Sequence, residues 1–389
     1  MNTFEKDSQY IAHIYNRYPV CFVSGKGSHL YDDKGKEYID LGSGIGVDIF
    51  GIADEKWMEA VTKQLHTLNH VSNLFYSKPM ADLAEMICEK TGMKKVFFSN
   101  SGAEANECAI KGARKYSNDK YGNGRNTIVT LVNSFHGRTM ATLTATGQDV
   151  FHHDFDPFLP GFLYTPANDL PAFIELCVKH PEICAVMVET IQGEGGVHPL
   201  EKEFFEGINK YAHDHDILLI VDEVQSGNGR TGKLYGYMNY DVEPDIVSTA
   251  KGIGGGLPLG ATFFNEKTEN VYTPGSHGST FGGNPIACAG AISIYQRLDD
   301  KLMAEVTEKG NFIKKSFEGA KGVKSVAGMG LMLGIEPEKP VGTIIPKLLE
   351  KGVVALTAKE KIRLLPALNI PMEDLEKAVG IIKSVLAED

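Results

Sequence analysis

Residues 217–223 read ILLIVDE, an unbroken aliphatic run ahead of two carboxylates. A strand with one face in water alternates apolar and polar positions, and this run does not alternate. It therefore reads as a strand buried on both faces, the condition of a parallel sheet covered by helices on each side. VFF (96–98), TIVTLV (127–132), AVMVE (185–189) and DIVSTA (245–250) have the same character. Helix-like segments separate them, among them 103–116 and 201–214. The alternation predicts an α/β fold with a mostly parallel sheet wrapped by helices.

Both ends of the chain differ from this middle. PVCFVSGKGSHLYDDKGKEYIDL alternates and turns at Gly25–Gly27 and Asp33–Gly35. A helix-like stretch at 295–318 leads to VKSVAGMGLMLGIE (323–336), which reads as a hairpin, and a helix, a strand and a helix follow. Residues 1–54 and 295–389 are expected to form a smaller α+β domain beside a large domain at 55–294.

The net charge of −11 carries no basic block, which argues against nucleic acid or an anionic membrane surface as partner. No apolar run reaches the roughly 18–20 residues of a membrane span, and no basic-then-apolar leader is visible. Six scattered cysteines without a CxxC pair read as reduced thiols in a cytoplasmic protein. His152-His153-Asp154 and the His213/His215 pair are too local to close a metal site, so no metal is expected.

In a sheet of this kind ligands bind at the carboxyl ends of the strands. Five polar stretches fall there: SNSGAE (99–104), NSFHGR (133–138), ETIQGEGG (189–196), DEVQSG (222–227) and VSTAKGIGGGLPLG (247–260). Ser101, Gly102 and Ala103 open a helix, and backbone N–H groups there suit an anion; Ser101 and Glu104 also read as a capping box. Asp222 at a strand end needs a donor partner, and a buried ion pair with Lys251 would supply one. The glycines after Lys251 do not make a phosphate loop, whose lysine follows its glycines, and GxGxxG fails at Leu257. Pyridoxal phosphate (PLP) needs all three pieces: a lysine amine, an acid for its ring nitrogen and a helix N-terminus for its phosphate. Phe135 is placed to cover its ring.

FFSNSGAEANE (97–107), NSFHGRTMATLTATGQ (133–148), ETIQGEGGV (189–197), LIVDEVQSGNGRTGKL (219–234), EPDIVSTAKGIGGGLPLGA (243–261) and HGSTFGGNP (277–285) resemble, in this order, the class III, fold-type I PLP aminotransferases. Within the class they are most similar to the acetylornithine branch. The resemblance implies transfer of the δ-amino group of N²-acetylornithine to 2-oxoglutarate; succinylornithine, succinyldiaminopimelate, ornithine and 4-aminobutyrate are the alternative amines. It implies that Lys251 holds PLP as a Schiff base and that Asp222 pairs with the pyridinium. It implies that Glu223, Val224 and Gln225, which follow that acid, also bind the cofactor, Gln225 near the ring hydroxyl. Ser101, Gly102 and Ala103 match the phosphate nest, and Phe135 the residue stacked on the ring. Thr280 matches a phosphate ligand given to the other subunit of a homodimer, with Ser279 beside it near substrate. Arg138 matches the arginine for a substrate carboxylate, Arg363 the one for the α-carboxylate of glutamate, and Glu194 the acid that masks Arg363. Tyr15 matches a substrate-contacting tyrosine. The chain departs from the family pattern at GIADE (51–55), where a GHxHP-like stretch is usual, and at Ala327, where arginine is usual.

Overall fold

Seven strands form the central sheet of the computed structural model, which describes residues 1–388. We number them β1 (Lys95–Ser99), β2 (Thr127–Leu131), β3 (Phe162–Thr165), β4 (Ile183–Glu189), β5 (Leu218–Asp222), β6 (Ile246–Thr249) and β7 (Gly260–Phe264). Their spatial order is β1-β7-β6-β5-β4-β2-β3. Only β7 runs against its neighbours, so the other strands deliver their carboxyl ends to one edge. The fold is α/β with a mostly parallel sheet, as the aliphatic runs imply. β3 and β7 have little signal in the sequence: β3 is a short FLYT between a Pro-Gly pair and a proline, and β7 begins on Gly260, straight out of the glycine-rich loop.

Every residue of β4 and β5 is buried, because helices cover both faces. Successive side chains of a strand point to opposite faces. Leu218 and Ile220 thus pack with Cys108 and Ile110 of the helix Gly102–Tyr121, whereas Leu219 and Val221 pack with Phe204, Phe205 and Ile208 of the helix Lys202–Asp214. The same parity sends the two neighbouring carboxylates Asp222 and Glu223 to opposite faces.

The two ends of the chain meet in one sheet. Strands Phe22–Lys26, His29–Asp32 and Glu37–Asp40 are joined by Val353–Val354, which pairs parallel to Ile39–Asp40. The expected hairpin forms, Val323–Met329 against Met332–Pro337, and Lys361–Leu364 and Leu356–Ala358 extend it. The closing stretch thus holds three short strands where the sequence suggests one. The helix-like 295–318 is also broken. One helix ends at Tyr295, and Asp299 starts the next by accepting from the Leu302 N–H at 2.9 Å. At the GIADE departure, Asp54 caps the helix Glu55–Leu65 and pairs with Arg297 at 2.8 Å. Ala327 sits opposite Gly334 in the hairpin. Among the described residues no helix is long and apolar enough to cross a membrane.

Candidate active site

Glu189, Asp222 and Ser248 stand side by side in register at the carboxyl ends of β4, β5 and β6. Lys251 follows β6 directly and opens a short 3-10 turn, Lys251–Ile253, with φ of +49°. The first turn of the helix Gly102–Tyr121 lies at the same edge, after β1. Together they wall a cavity of about 660 Å³ lined by Tyr15, Ser101, Gly102, Ala103, Phe135, His136, Arg138, Asp222, Val224, Gln225 and Lys251 among others.

Asp222 is buried and accepts three hydrogen bonds, which leaves its carboxylate room for one more donor. Its Oδ2 accepts from Asn106 Nδ2 at 2.7 Å and from His136 Nδ1 at 2.8 Å, and its Oδ1 accepts from the Val224 N–H at 3.0 Å. Asn106 is oriented in turn, donating its other amide hydrogen to the His136 carbonyl at 2.7 Å and accepting from Ser248 Oγ at 2.5 Å. The alternative of a buried Lys251–Asp222 ion pair is not formed. The Lys251 amine has no hydrogen-bond or ion-pair partner among the described residues and faces the cavity. Burial pushes its pKa below the ordinary lysine value, against the pull of Glu194 and Asp222.

Asn106, His136 and Glu189 are missing from the sequence reading. Glu189 accepts from the Phe135 N–H at 2.8 Å and the Gly193 N–H at 3.1 Å, tying two site loops to β4. Burial pushes its carboxyl up and Asp222 adds to this, while His136 opposes. His136 and Asn106 stand inside quoted motifs, but their target lies on a distant strand and no local spacing signals it.

Ser101 caps its helix as expected, accepting from the Glu104 N–H at 3.2 Å. The capping box does not close, because Glu104 reaches one residue further and accepts from the Asn100 N–H at 2.5 Å. The Gly102 and Ala103 N–H groups open the helix, and no backbone carbonyl takes them. A Cβ on Gly102 would lie 2.7 Å from Val224, so only glycine allows this close approach.

Glu223 departs from the expected set. Its parity is that of Leu219 and Val221, so its side chain leaves the opposite face of the sheet. There it accepts from Thr190 Oγ1 at 2.7 Å, Ser226 Oγ at 2.8 Å, and the Gly236 and Tyr237 N–H groups at 2.9 and 2.7 Å. That carboxylate is saturated by the fold and takes no part in the cavity wall.

Arg363 and Glu194 are not on the cavity wall but one side chain behind it. Arg363 Nη1 donates to Glu194 Oε1 at 2.5 Å and to Gln225 Oε1 at 3.1 Å, and Gln225 Nε2 approaches Glu194 Oε1 at 3.4 Å. The Arg363 side chain is 4% exposed and Glu194 30%. Burial would raise the Glu194 carboxyl; the Arg363 guanidinium outweighs it and holds Glu194 below its ordinary value. Arg138 is the reverse case. It is exposed at the cavity, pairs with no carboxylate among the described residues, and lies 4.0 Å over the Phe151 ring. Tyr15 is exposed on the same wall.

Ser279 and Thr280 line a separate cavity of about 680 Å³ with Leu74, Met80 and Phe97. Ser279 Oγ links the two regions, accepting from Asn100 Nδ2 at 3.2 Å. Thr280 is exposed and does not reach the Lys251 cavity of its own chain.

The family model for class III aminotransferases matches residues 10–386. An acetylornithine aminotransferase from Haemophilus ducreyi is 47% identical over 384 residues, covering 98% of both chains. Among solved structures, the N-acetylornithine aminotransferase of Stenotrophomonas maltophilia superposes with a TM-score of 0.86 at 32% identity, covering 99% of this chain and 98% of that one. An ornithine aminotransferase from Toxoplasma gondii, with partial occupancy of PLP at its active site, gives 0.93 at 30% identity, covering 99% and 93%.

Proposed function

The chain belongs to the class III aminotransferases, and from that membership we propose that it moves the δ-amino group of N²-acetyl-L-ornithine to 2-oxoglutarate. The cofactor is PLP, the products are N-acetyl-L-glutamate 5-semialdehyde and L-glutamate, and the place is a step of arginine biosynthesis. The observation that carries the reading is the contrast between two guanidiniums, Arg363 masked by Glu194 and Arg138 free. An enzyme with this pair of substrates needs both states. Glutamate brings a carboxylate next to its reacting amine, whereas acetylornithine brings an uncharged chain there. A buried arginine facing that chain needs a carboxylate of the protein's own.

The residues fit PLP. The Gly102 and Ala103 N–H groups, which no backbone carbonyl takes, form with the Ser101 cap an anion site, and Val224 packs so close behind it that a Cβ on residue 102 would lie 2.7 Å away. The buried His136 Nε2 has no partner, and the Lys251 amine stands free. PLP, when bound, supplies an aldehyde that takes up the substrate amine and a ring that draws electrons from the bond being broken. Lys251 would hold it through its amine, Asp222 would hold the proton on the ring nitrogen, and Phe135 would cover the ring face. Val224 backs the phosphate turn, and Gln225 would serve the ring hydroxyl.

The Lys251 amine would also be the base at the reacting carbon. Its lowered pKa favours the neutral amine, which takes the proton from the δ-carbon of acetylornithine or the α-carbon of glutamate. Asn106 and His136 fix the orientation of Asp222 and satisfy its buried charge. Arg138 receives the distal carboxylate with Tyr15 beside it, and Glu194 swings off Arg363 when glutamate presents its α-carboxylate.

Thr280 and Ser279 enter this reading through a homodimer. Thr280 is exposed beside the exposed apolar side chains of Leu74, Phe75, Tyr76 and Phe281, a patch suited to a second copy. In that dimer Thr280 would give its hydroxyl to the cofactor phosphate of the other subunit. Six unpaired cysteines suit the reducing cytoplasm. A panel of ω-amines assayed with 2-oxoglutarate tests the substrate. Acetylornithine is expected to give the highest kcat/KM; a higher value for ornithine or 4-aminobutyrate would overturn the assignment.

A further inference from the structure

Lys251 holds a left-handed backbone conformation, φ +49°, which is unfavourable for a residue with a side chain. Such a residue persists only where its surroundings over-determine it. The constraint lies on the side away from the cavity. The Ala250 carbonyl, in the peptide bond that enters Lys251, accepts from the Ile253 N–H at 3.2 Å and from Asn228 Nδ2 at 3.3 Å. Asn228 Nδ2 also donates to Thr249 Oγ1 at 3.0 Å. Asn228 Oδ1 accepts from the Tyr295 hydroxyl at 3.4 Å, and that hydroxyl is bonded to Tyr235.

This chain of hydrogen bonds has one direction. Tyr295 has a single hydroxyl proton and gives it to Asn228, so Tyr235 must be the donor to Tyr295. The amide of Asn228 is thereby turned with its oxygen toward Tyr295 and its hydrogens toward Thr249 and Ala250. Asn228, Tyr235, Tyr295 and Thr249 are all at most 1% exposed, and Phe263 packs edge-on against Tyr235. Burying these groups in an apolar core costs stability unless each is paired, and aliphatic side chains would fill the space without that cost. Their shared terminus is the peptide of the lysine.

We propose that Asn228, oriented by Tyr295 and Tyr235, is a positioning residue for Lys251: it holds the Ala250–Lys251 peptide plane so that the left-handed lysine sends its amine into the cavity. The inference rests on the reading of Lys251 as the amine that takes PLP. Neither Asn228 nor the tyrosines line the cavity, so they act through the backbone alone.

Two variants test it. Asn228→Leu removes the grip on Ala250, and Tyr295→Phe removes only the hydroxyl that orients the amide. Each is followed by thermal unfolding, by kcat and KM for both substrates, and by the rate at which cofactor-free protein captures PLP on Lys251, fixed with borohydride, across a pH series. A displacement on the order of 1 Å at a reacting group costs up to about a hundredfold in rate. Asn228→Leu is expected to lose about ten- to a hundredfold in kcat with KM nearly unchanged, a slower capture of PLP and a shifted pH profile for it, with Tyr295→Phe in between. A merely structural role would lower the unfolding temperature and leave kcat and capture of the folded protein unchanged, and that result overturns the inference. If Asn228→Leu does not fold, Tyr295→Phe decides by the same criteria. If the parent itself fails to capture PLP, the reading of Lys251 falls and the inference with it, an outcome distinct from parent-like variants.

Discussion

Replacing Glu194 by glutamine should change which substrate the enzyme prefers more than how well it works. Glu194 is the sole carboxylate paired with Arg363 among the described residues, at 2.5 Å, and the remaining side-chain contact of that guanidinium is neutral Gln225 at 3.1 Å. On the proposed reading, glutamate displaces Glu194 to place its α-carboxylate there. A hydrogen bond to a charged group is worth about 1.5–3 kcal/mol net. Glu194→Gln removes that competition and leaves a buried guanidinium in want of an anion, which glutamate supplies and acetylornithine does not. At 1.4 kcal/mol per tenfold, the ratio of kcat/KM for glutamate to that for acetylornithine should rise about ten- to a hundredfold. Single-turnover absorbance changes of the holoenzyme, with each amine donor mixed separately, read the two half-reactions independently. An unchanged ratio, with both half-reactions scaled by the same factor, would refute the masking role of Glu194.

Two further outcomes follow from the site. Asp222→Ala leaves the buried donors Asn106 Nδ2 and His136 Nδ1 without their acceptor, so it should cost about 1–3 kcal/mol of stability by thermal unfolding. Its single-turnover rate should fall by about 10²–10⁴, and a parent-like rate would remove Asp222 from the chemistry. The half-reaction rate should also depend on pH in one direction. Burial lowers the Lys251 pKa, so the neutral amine, the active form, is present above that lowered value and is lost as pH falls through it. A pH–rate profile should therefore rise from the acid side to a plateau reached below the ordinary lysine value; a rate that climbs as pH falls over the same range would exclude Lys251 as the base.

Much of this was legible in the residues themselves. ILLIV reads as a doubly buried strand because no polar side chain interrupts it, and the chemistry-bearing side chains sit where such strands stop. Parity is the first thing linear reading loses: Asp222 and Glu223 are adjacent carboxylates, and only their packing shows that one enters the cavity while the other is spent on Thr190, Ser226 and two backbone N–H groups. Partners far apart in the chain are the second. Asn106 and His136 meet at Asp222, and Tyr295 meets Asn228, through the stacking of helices on the sheet, which leaves no local spacing to read. The glycines after Lys251 are a third case. Their order excludes a phosphate loop but does not say what they are for; a Cβ on Gly252 would lie 2.5 Å from Ile49, so packing against the N-terminal segment explains that one.

The central claim is that the free amine of Lys251 is where this chain does its chemistry. Borohydride reduction of the purified, PLP-loaded protein, followed by proteolysis and mass spectrometry, tests it directly. A single reduced pyridoxyl adduct is expected on the peptide that carries Lys251, and none when acetylornithine has first converted the enzyme. An adduct on another lysine, or a protein that takes up no PLP, would contradict it.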